Sequence, residues 1–265
     1  MPVTPHAHLG RVVLVRHGES VANAAGMFTG VLDVPLSERG VREAHRAAEL
    51  VAATGIRFDL ALTSELERAW ATADVLASSD SAGPHLPPVE RTWLLNERTY
   101  GALTGRTKAD VCAEVGETQF LAWRRSVRVP PPAMGDDAFR ELAESPLFRR
   151  LPAEALVRTE SLADVMVRVG RLWRERVDPV LRRGGSVLLV AHGNSLRALC
   201  GVVDALDDVE IQQLGLPTGH PLLYELDPDG AERDGLLVPL VRGGVYLDEP
   251  AALAAAERLA REGGT

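Results

Sequence analysis

Residues 11–16, Arg-Val-Val-Leu-Val-Arg, form a short continuous apolar run rich in β-branched side chains. Such a run predicts a strand covered on both faces, as in a parallel sheet. The pattern then changes to helical spacing across 37–51, where apolar or small residues recur at Val41, Ala44, Ala48 and Val51. Ser37 reads as its N-cap and Gly55 as its stop. Residues 58–63 predict a second strand, 66–77 a helix, 89–94 a weaker third strand and 186–191 a fourth. A fifth strand is expected over 222–226, and an Ala-rich, weakly amphipathic helix over 250–260. Strands alternating with amphipathic helices predict an α/β fold with a mostly parallel sheet. Ligands of such sheets lie beyond the carboxyl ends of the strands. Strands one and four end alike there, in Arg16-His17-Gly18 and Ala191-His192-Gly193.

Composition narrows the picture. The 265 residues, 46% hydrophobic and 25% charged, suit one domain over 1–265 that needs neither disulfide nor metal to hold its core. Cys112 and Cys200 are far apart and belong to no pairing motif, which points to a reducing compartment. No apolar run approaches the ~18–20 residues that span a bilayer, and the start MPVTPHAHLGR lacks the pattern of a signal peptide. A cytoplasmic protein without membrane contact is expected. The net charge of -8 disfavours nucleic acid but not a small anion met by local arginines. Residues of about 128–160, which contain Pro130-Pro131-Pro132, read as a lid-like excursion, and about 245–265 as a C-terminal tail.

The two strand-end histidines carry the candidate chemistry. A strand that breaks into glycine and then a helix presents free N–H groups that bind anions. Arg16 adds a cation whose fork matches phosphate oxygens, and an imidazole among such donors can take up a phosphoryl group. Either histidine alone could be a turn residue; two in the same setting argue against that. Arg68, at the start of the helix after Thr63-Ser64, lies toward the same crevice. Glu97 alone reads as an exposed loop carboxylate, though a carboxyl beside a bound phosphate dianion would tend to keep its proton. A helical turn would put Glu97 and Tyr100 on one face. No carboxylate cluster has metal-ligand spacing. His6, His8, His45, His85 and His220 have no comparable setting and read as structural or exposed.

These motifs resemble those of the histidine phosphatase superfamily: Val15-Arg16-His17-Gly18-Glu19-Ser20 with Asn23, Phe28-Thr29-Gly30, Leu36-Ser37-Glu38-Arg39-Gly40, Thr63-Ser64 and Arg68-Ala69. Leu95-Asn96-Glu97-Arg98, Tyr100-Gly101-Ala102-Leu103-Thr104-Gly105, Lys108, Trp123-Arg124-Arg125 and Ala191-His192-Gly193-Asn194-Ser195-Leu196-Arg197 resemble its cofactor-dependent phosphoglycerate mutases. The resemblance implies a three-layer sandwich of the phosphoglycerate mutase type. It implies His17 as the phosphoryl-carrying nucleophile, with Arg16, Arg68 and His192 around the phosphoryl group and Glu97 as acid–base. Asn23, Thr29, Gly30, Gly193 and Asn194, and also Tyr100, Lys108, Arg124 and Arg125, are implied as substrate contacts. The implied reaction interconverts 3- and 2-phosphoglycerate, primed by 2,3-bisphosphoglycerate without a metal, in a homodimer or homotetramer.

The pattern departs from that family at Thr99, where a histidine is usual, and at Val31, where a tryptophan is usual, with Leu32 beside it. Such changes are expected at substrate walls and covers. They keep open a phosphatase acting on another small ester. A catalytically silent phospho-ligand binder is a third reading, opposed by the intact set of His17, His192, Arg16, Arg68 and Glu97.

Overall fold

A computed structural model describes residues 9–78 and 86–261. The first half contains β1 (Gly10–Arg16), α1 (Val21–Ala24), α2 (Glu38–Ala53), β2 (Leu60–Thr63), α3 (Glu67–Ser78) and β3 (Glu90–Arg91). Then come α4 (Lys108–Val115), α5 (Glu117–Arg125), α6 (Asp136–Glu144), α7 (Leu162–Leu172) and α8 (Asp178–Leu181), the last two joined by a π-helical turn at Trp173–Val177. The chain continues through β4 (Ser186–Ala191), α9 (Gly193–Val203), α10 (Asp208–Gln213) and β5 (Leu222–Leu226). It ends with β6 (Glu232–Arg233), β7 (Leu236–Leu237), β8 (Val245–Tyr246) and α11 (Glu249–Arg261). Among the described residues no helix is long and apolar enough to cross a membrane.

The six-stranded sheet has the order β3-β2-β4-β1-β5-β8. Three of its five pairings are parallel, β1 with β4, β2 with β4 and β2 with β3, while β5 runs antiparallel to β1 and to β8. The continuous apolar runs are explained by burial on both sides. Val12, Leu14, Val187 and Leu189 face one core, against α7 and α9. Val13, Val15, Leu188 and Val190 face the other, against α2 and α3. The result is the expected α/β sandwich of helix, sheet and helix layers.

The strands of residues 186–191 and 222–226 match their expected bounds. The third strand does not: only Glu90–Arg91 pairs. Thr92 ends it by accepting a hydrogen bond from the Leu94 amide and opening a 3-10 turn at Trp93–Leu95. β2 likewise begins at Leu60 rather than 58, because the Asp59 carboxylate is occupied by the Ser186 amide at 2.8 Å. The stretch 128–160 is more ordered than an excursion implies. It contains α6 and 3-10 turns at Phe148–Arg150 and Ala153–Ala155, and Leu147 and Phe148 pack against Val31 and Leu66.

One crossing holds the loop after β1 to the first turn of α2. Ser37 caps α2 through the Gly40 amide, its own amide donates to the Glu19 carbonyl at 2.8 Å, and its hydroxyl donates to the Glu19 carboxylate at 2.8 Å. The approach is so close that a Cβ on Gly18 would overlap the Gly40 carbonyl and one on Gly40 the Glu19 carbonyl. Gly40→Ala is therefore expected to cost about 2–3 kcal/mol through backbone overpacking. It should also reduce activity, because the displaced segment adjoins His17. Urea denaturation checks the first expectation; an unshifted midpoint would show that the crossing yields freely.

Candidate active site

Parallel pairing sets Arg16 opposite Ala191, so the next residue on each strand, His17 and His192, emerge side by side. Their ring centroids are 4.9 Å apart in an edge-on arrangement. The His17 amide still donates to the Ala191 carbonyl, at 2.9 Å, so the ladder reaches the histidine itself. Both rings are buried, at 2% and 0% exposure.

The contacts of His17 fix its tautomer. Nδ1 lies 2.6 Å from the Gly18 carbonyl oxygen, which only accepts, so Nδ1 carries the hydrogen. Nε2 then keeps its lone pair, and the Arg68 Nε–H donates to it at 3.3 Å. Burial, then Arg68 and Arg16, push the His17 pKa well below 6.5. The ring is thus held neutral with a nucleophilic nitrogen. His192 is also pushed down, by burial and then by Arg68 and His17. Its Nε2 meets the Ser64 hydroxyl at 2.7 Å, while Nδ1 is buried without a partner.

Two backbone carbonyls immobilise Arg68, Leu32 on NH1 and Gly30 on NH2, each at 2.8 Å. Gly30 has φ +50 and turns its carbonyl toward the guanidinium within a bend that favours glycine. Burial pushes the Arg68 pKa down to about 10, against the opposing pull of Glu97 and Asp33. Arg16 donates through NH1 to the Leu216 carbonyl at 2.7 Å and lies flat against the start of α9. A Cβ at Gly193 would come within 3.3 Å of the Arg16 guanidinium carbon, which accounts for the glycine there.

A narrow, partly open cavity lies at these groups. Its wall includes Arg16, His17, Asn23, Thr29, Gly30, Arg68, Glu97, Tyr100 and Lys108. Asn23 spends Oδ1 on the Ser20 amide and hydroxyl, which leaves its NH2 as the free donor. Thr29 Oγ1 is buried without a partner. Burial, followed by Arg124, Arg16 and Arg125, pushes the Lys108 ammonium down to about 8. His192, Gly193, Asn194, Arg124 and Arg125 are not among the lining residues. Arg124 nevertheless keeps Nε and NH2 buried without partners, and burial pushes it down to about 10.

Several expectations need correction. Residues 96–100 form no helical turn. Tertiary partners take their polar groups: Asn96 Oδ1 accepts from the Glu65 amide, the Thr99 amide donates to Glu160 Oε2, and the Thr99 carbonyl accepts from the Glu160 amide. Glu97 and Tyr100 reach the same cavity from irregular backbone. The α9 N-terminus is not wholly free for an anion either, since the Asn194 amide donates to the Glu97 carboxylate at 3.3 Å. Thr99 and Val31 do not line the cavity; they flank a small void behind Glu97 with Glu160 and Arg168. His45 is exposed as expected, but His220 is half-buried and lines an outer vestibule with Arg16, Lys108 and Arg258. His6, His8 and His85 lie outside the described residues.

Sequence reasoning missed the brace behind Glu97. Arg168 pairs with Glu160 at 2.9 Å in a buried site and donates to the Leu94 and Glu97 carbonyls. No local pattern marks Arg168, because Leu94 and Glu97, whose carbonyls it meets, are distant in sequence. Arg197 was read only as the last residue of a motif, and its full burial on α9 was not.

A profile of the Histidine phosphatase superfamily (branch 1) matches residues 12–145. A 2,3-bisphosphoglycerate-dependent phosphoglycerate mutase of Thermobifida fusca is 46% identical over 255 residues, covering 96% of this chain and 100% of the relative. One from Clavibacter michiganensis is 47% identical, covering 95% of this chain and 96% of the relative. Among solved structures, a mycobacterial glucosyl-3-phosphoglycerate phosphatase has a TM-score of 0.63 at 24% identity, covering 89% of this chain and 99% of its own. A putative alpha-ribazole-5'-P phosphatase of Escherichia coli has 0.62 at 24%, covering 88% and 95%. These structures share the fold.

The lowered pKa values of His17 and His192 carry a stability consequence. Below the ordinary value of 6.5 the unfolded chain takes up protons that the buried rings refuse. Their contribution is therefore intact above about pH 6.5 and lost progressively below it, with a slope approaching about 1.4 kcal/mol per pH unit for each ring. Urea midpoints between about pH 7 and about pH 5 should fall less steeply in His17→Asn than in the parent protein. Equal slopes would show that His17 is not held neutral.

Proposed function

The chain belongs to the histidine phosphatase superfamily, with its cofactor-dependent phosphoglycerate mutases, and on that footing we propose that it interconverts 3- and 2-phosphoglycerate. One observation carries the chemistry: His17 presents a neutral, buried Nε2 lone pair beside two arginines. The substrate assignment rests on near-full-length likeness to relatives that bear the mutase name.

In this reading Nε2 of His17 attacks phosphorus and becomes phosphohistidine. Arg16 and Arg68 balance charge on the equatorial oxygens, with His192 beside them as a neutral group. Glu97 gives a proton to the departing oxygen and later takes one from the accepting 2-hydroxyl. Lys108, Arg124, Arg125 and Tyr100 hold the carboxylate and the second phosphate. The fit of 2,3-bisphosphoglycerate is supported by buried donors that lack partners, Arg124 Nε and NH2 and Thr29 Oγ1, in a strongly cationic setting. When bound, that compound supplies the priming phosphoryl group. The walls must also keep water from the phosphohistidine until an acceptor hydroxyl is in place.

The test is a paired assay on 3-phosphoglycerate with and without catalytic 2,3-bisphosphoglycerate, following 2-phosphoglycerate and free phosphate together. Bisphosphate-dependent isomerisation with little phosphate release is expected; phosphate release alone would assign a phosphatase instead. His17→Ala should take up no phosphoryl label. Glu97→Gln should lower kcat by about 100-fold or more while KM moves only a few-fold. A labelled, folded His17→Ala protein would overturn the nucleophile.

A further inference from the structure

We infer that Arg197 is a positioning residue for this reaction: through Asn194 it orients the Tyr100 hydroxyl as a hydrogen-bond donor to the bound anion. The inference rests on the proposed role of Tyr100 as a substrate contact.

Three hydrogen bonds carry it. Arg197 donates from NH1 to Asn194 Oδ1 at 3.2 Å and from Nε to the Leu214 carbonyl at 3.0 Å. Asn194 Nδ2 in turn lies 2.9 Å from Tyr100 Oη. A guanidinium can only donate, so the Asn194 atom that faces it must be the carbonyl oxygen. That choice puts the amide NH2 against Tyr100, and an NH2 can only donate as well. The phenol oxygen must therefore accept from Asn194, and its own proton turns elsewhere. Tyr100 lines the cavity beside Arg16 and Lys108, so the proton is available to an anion there.

Polarity matters because position is already settled. The Tyr100 ring is fixed by Phe28, with centroids 4.9 Å apart, and by the Arg98 guanidinium 4.5 Å from its centroid. Only the direction of the O–H remains adjustable. With the amide reversed, Tyr100 would donate to Asn194 and offer the substrate lone pairs, which repel an anion. Arg197 is what prevents the reversal.

Stability alone gives no account of the cation. Arg197 is 1% exposed, and its NH2 is buried without a hydrogen-bond partner. Burial, followed by repulsion from Arg125, pushes its pKa down to about 9. A neutral side chain would avoid that cost.

The chain has only three asparagines, Asn23, Asn96 and Asn194, so asparagine-selective ¹⁵N labelling gives three side-chain NH2 pairs. In the resting protein, Tyr100→Phe should shift the Asn194 pair and speed its hydrogen exchange while leaving the other two in place. An unmoved Asn194 pair would overturn the relay with no reference to activity. Kinetically, Arg197→Met and Tyr100→Phe should each raise KM for 3-phosphoglycerate about tenfold with little change in kcat. The double variant should be no worse than the poorer single one, because both remove the same donor. Arg197→Lys, which still donates to Oδ1, should recover most of the loss. Additive losses, or a Lys variant as poor as Met, would assign Arg197 a merely structural role. A parent protein that isomerises nothing would overturn the mutase reading, and the resting NMR comparison would still decide the relay.

Discussion

The in-register parallel pairing of β1 with β4 is the constraint on which the site depends. Arg16 stands opposite Ala191, and the histidines that follow are brought together by backbone hydrogen bonds alone. No side-chain choice is needed to align them. Burial of both strands on both faces makes the alignment rigid, since a slip of one residue would exchange the two cores. The same burial removes water from the rings and sets their protonation. Fold, tautomer and nucleophilicity thus follow from a single register.

The second theme is charge carried against the global balance. The chain has a net charge of -8, yet Arg16, Arg68, Arg124 and Arg197 are all buried within a short distance of Glu97 and Tyr100. Backbone carbonyls help to seat three of them. Arg68 has the Leu32 and Gly30 carbonyls, Arg16 that of Leu216, and Arg197 that of Leu214. Carbonyls fix geometry without neutralising charge, so the positive potential is preserved for a ligand. Ion pairing would have stabilised the empty site and weakened its hold on an anion.

What could be read from the sequence divides along the same physical line. β1, β4, β5, α2 and the histidine pair were legible because local hydrophobic runs, caps and glycines determine them. The short β3, the irregular backbone of 96–100 and the order within 128–160 were not. They are decided by tertiary partners such as Glu160 on Thr99 and Val31 on Phe148. Arg168 sits at an ordinary helical position with nothing nearby to announce a buried charge, and Arg197 was legible only as the end of a motif. Asn194 was legible as a motif residue, but its partners were not.

Those tertiary partners also explain how the chain tolerates its departures from the usual motif. Thr99 is held by its backbone, with its amide on Glu160 Oε2 and its carbonyl on the Glu160 amide. The segment bearing Glu97 is braced from behind by Arg168, itself paired to Glu160. The side chain at 99 therefore does not carry the placement of Glu97. Val31 is likewise committed to the cluster beneath 128–160, while Leu32 contributes only its carbonyl to Arg68. A fold shared by proteins named mutase and phosphatase cannot discriminate between them through such positions. The discrimination has to lie where the cavity meets its donors, in the groups that seat the acceptor hydroxyl before water reaches the phosphohistidine. Lys108 and Tyr100 line that cavity, and the alignment of Tyr100 depends on Asn194 immediately behind it.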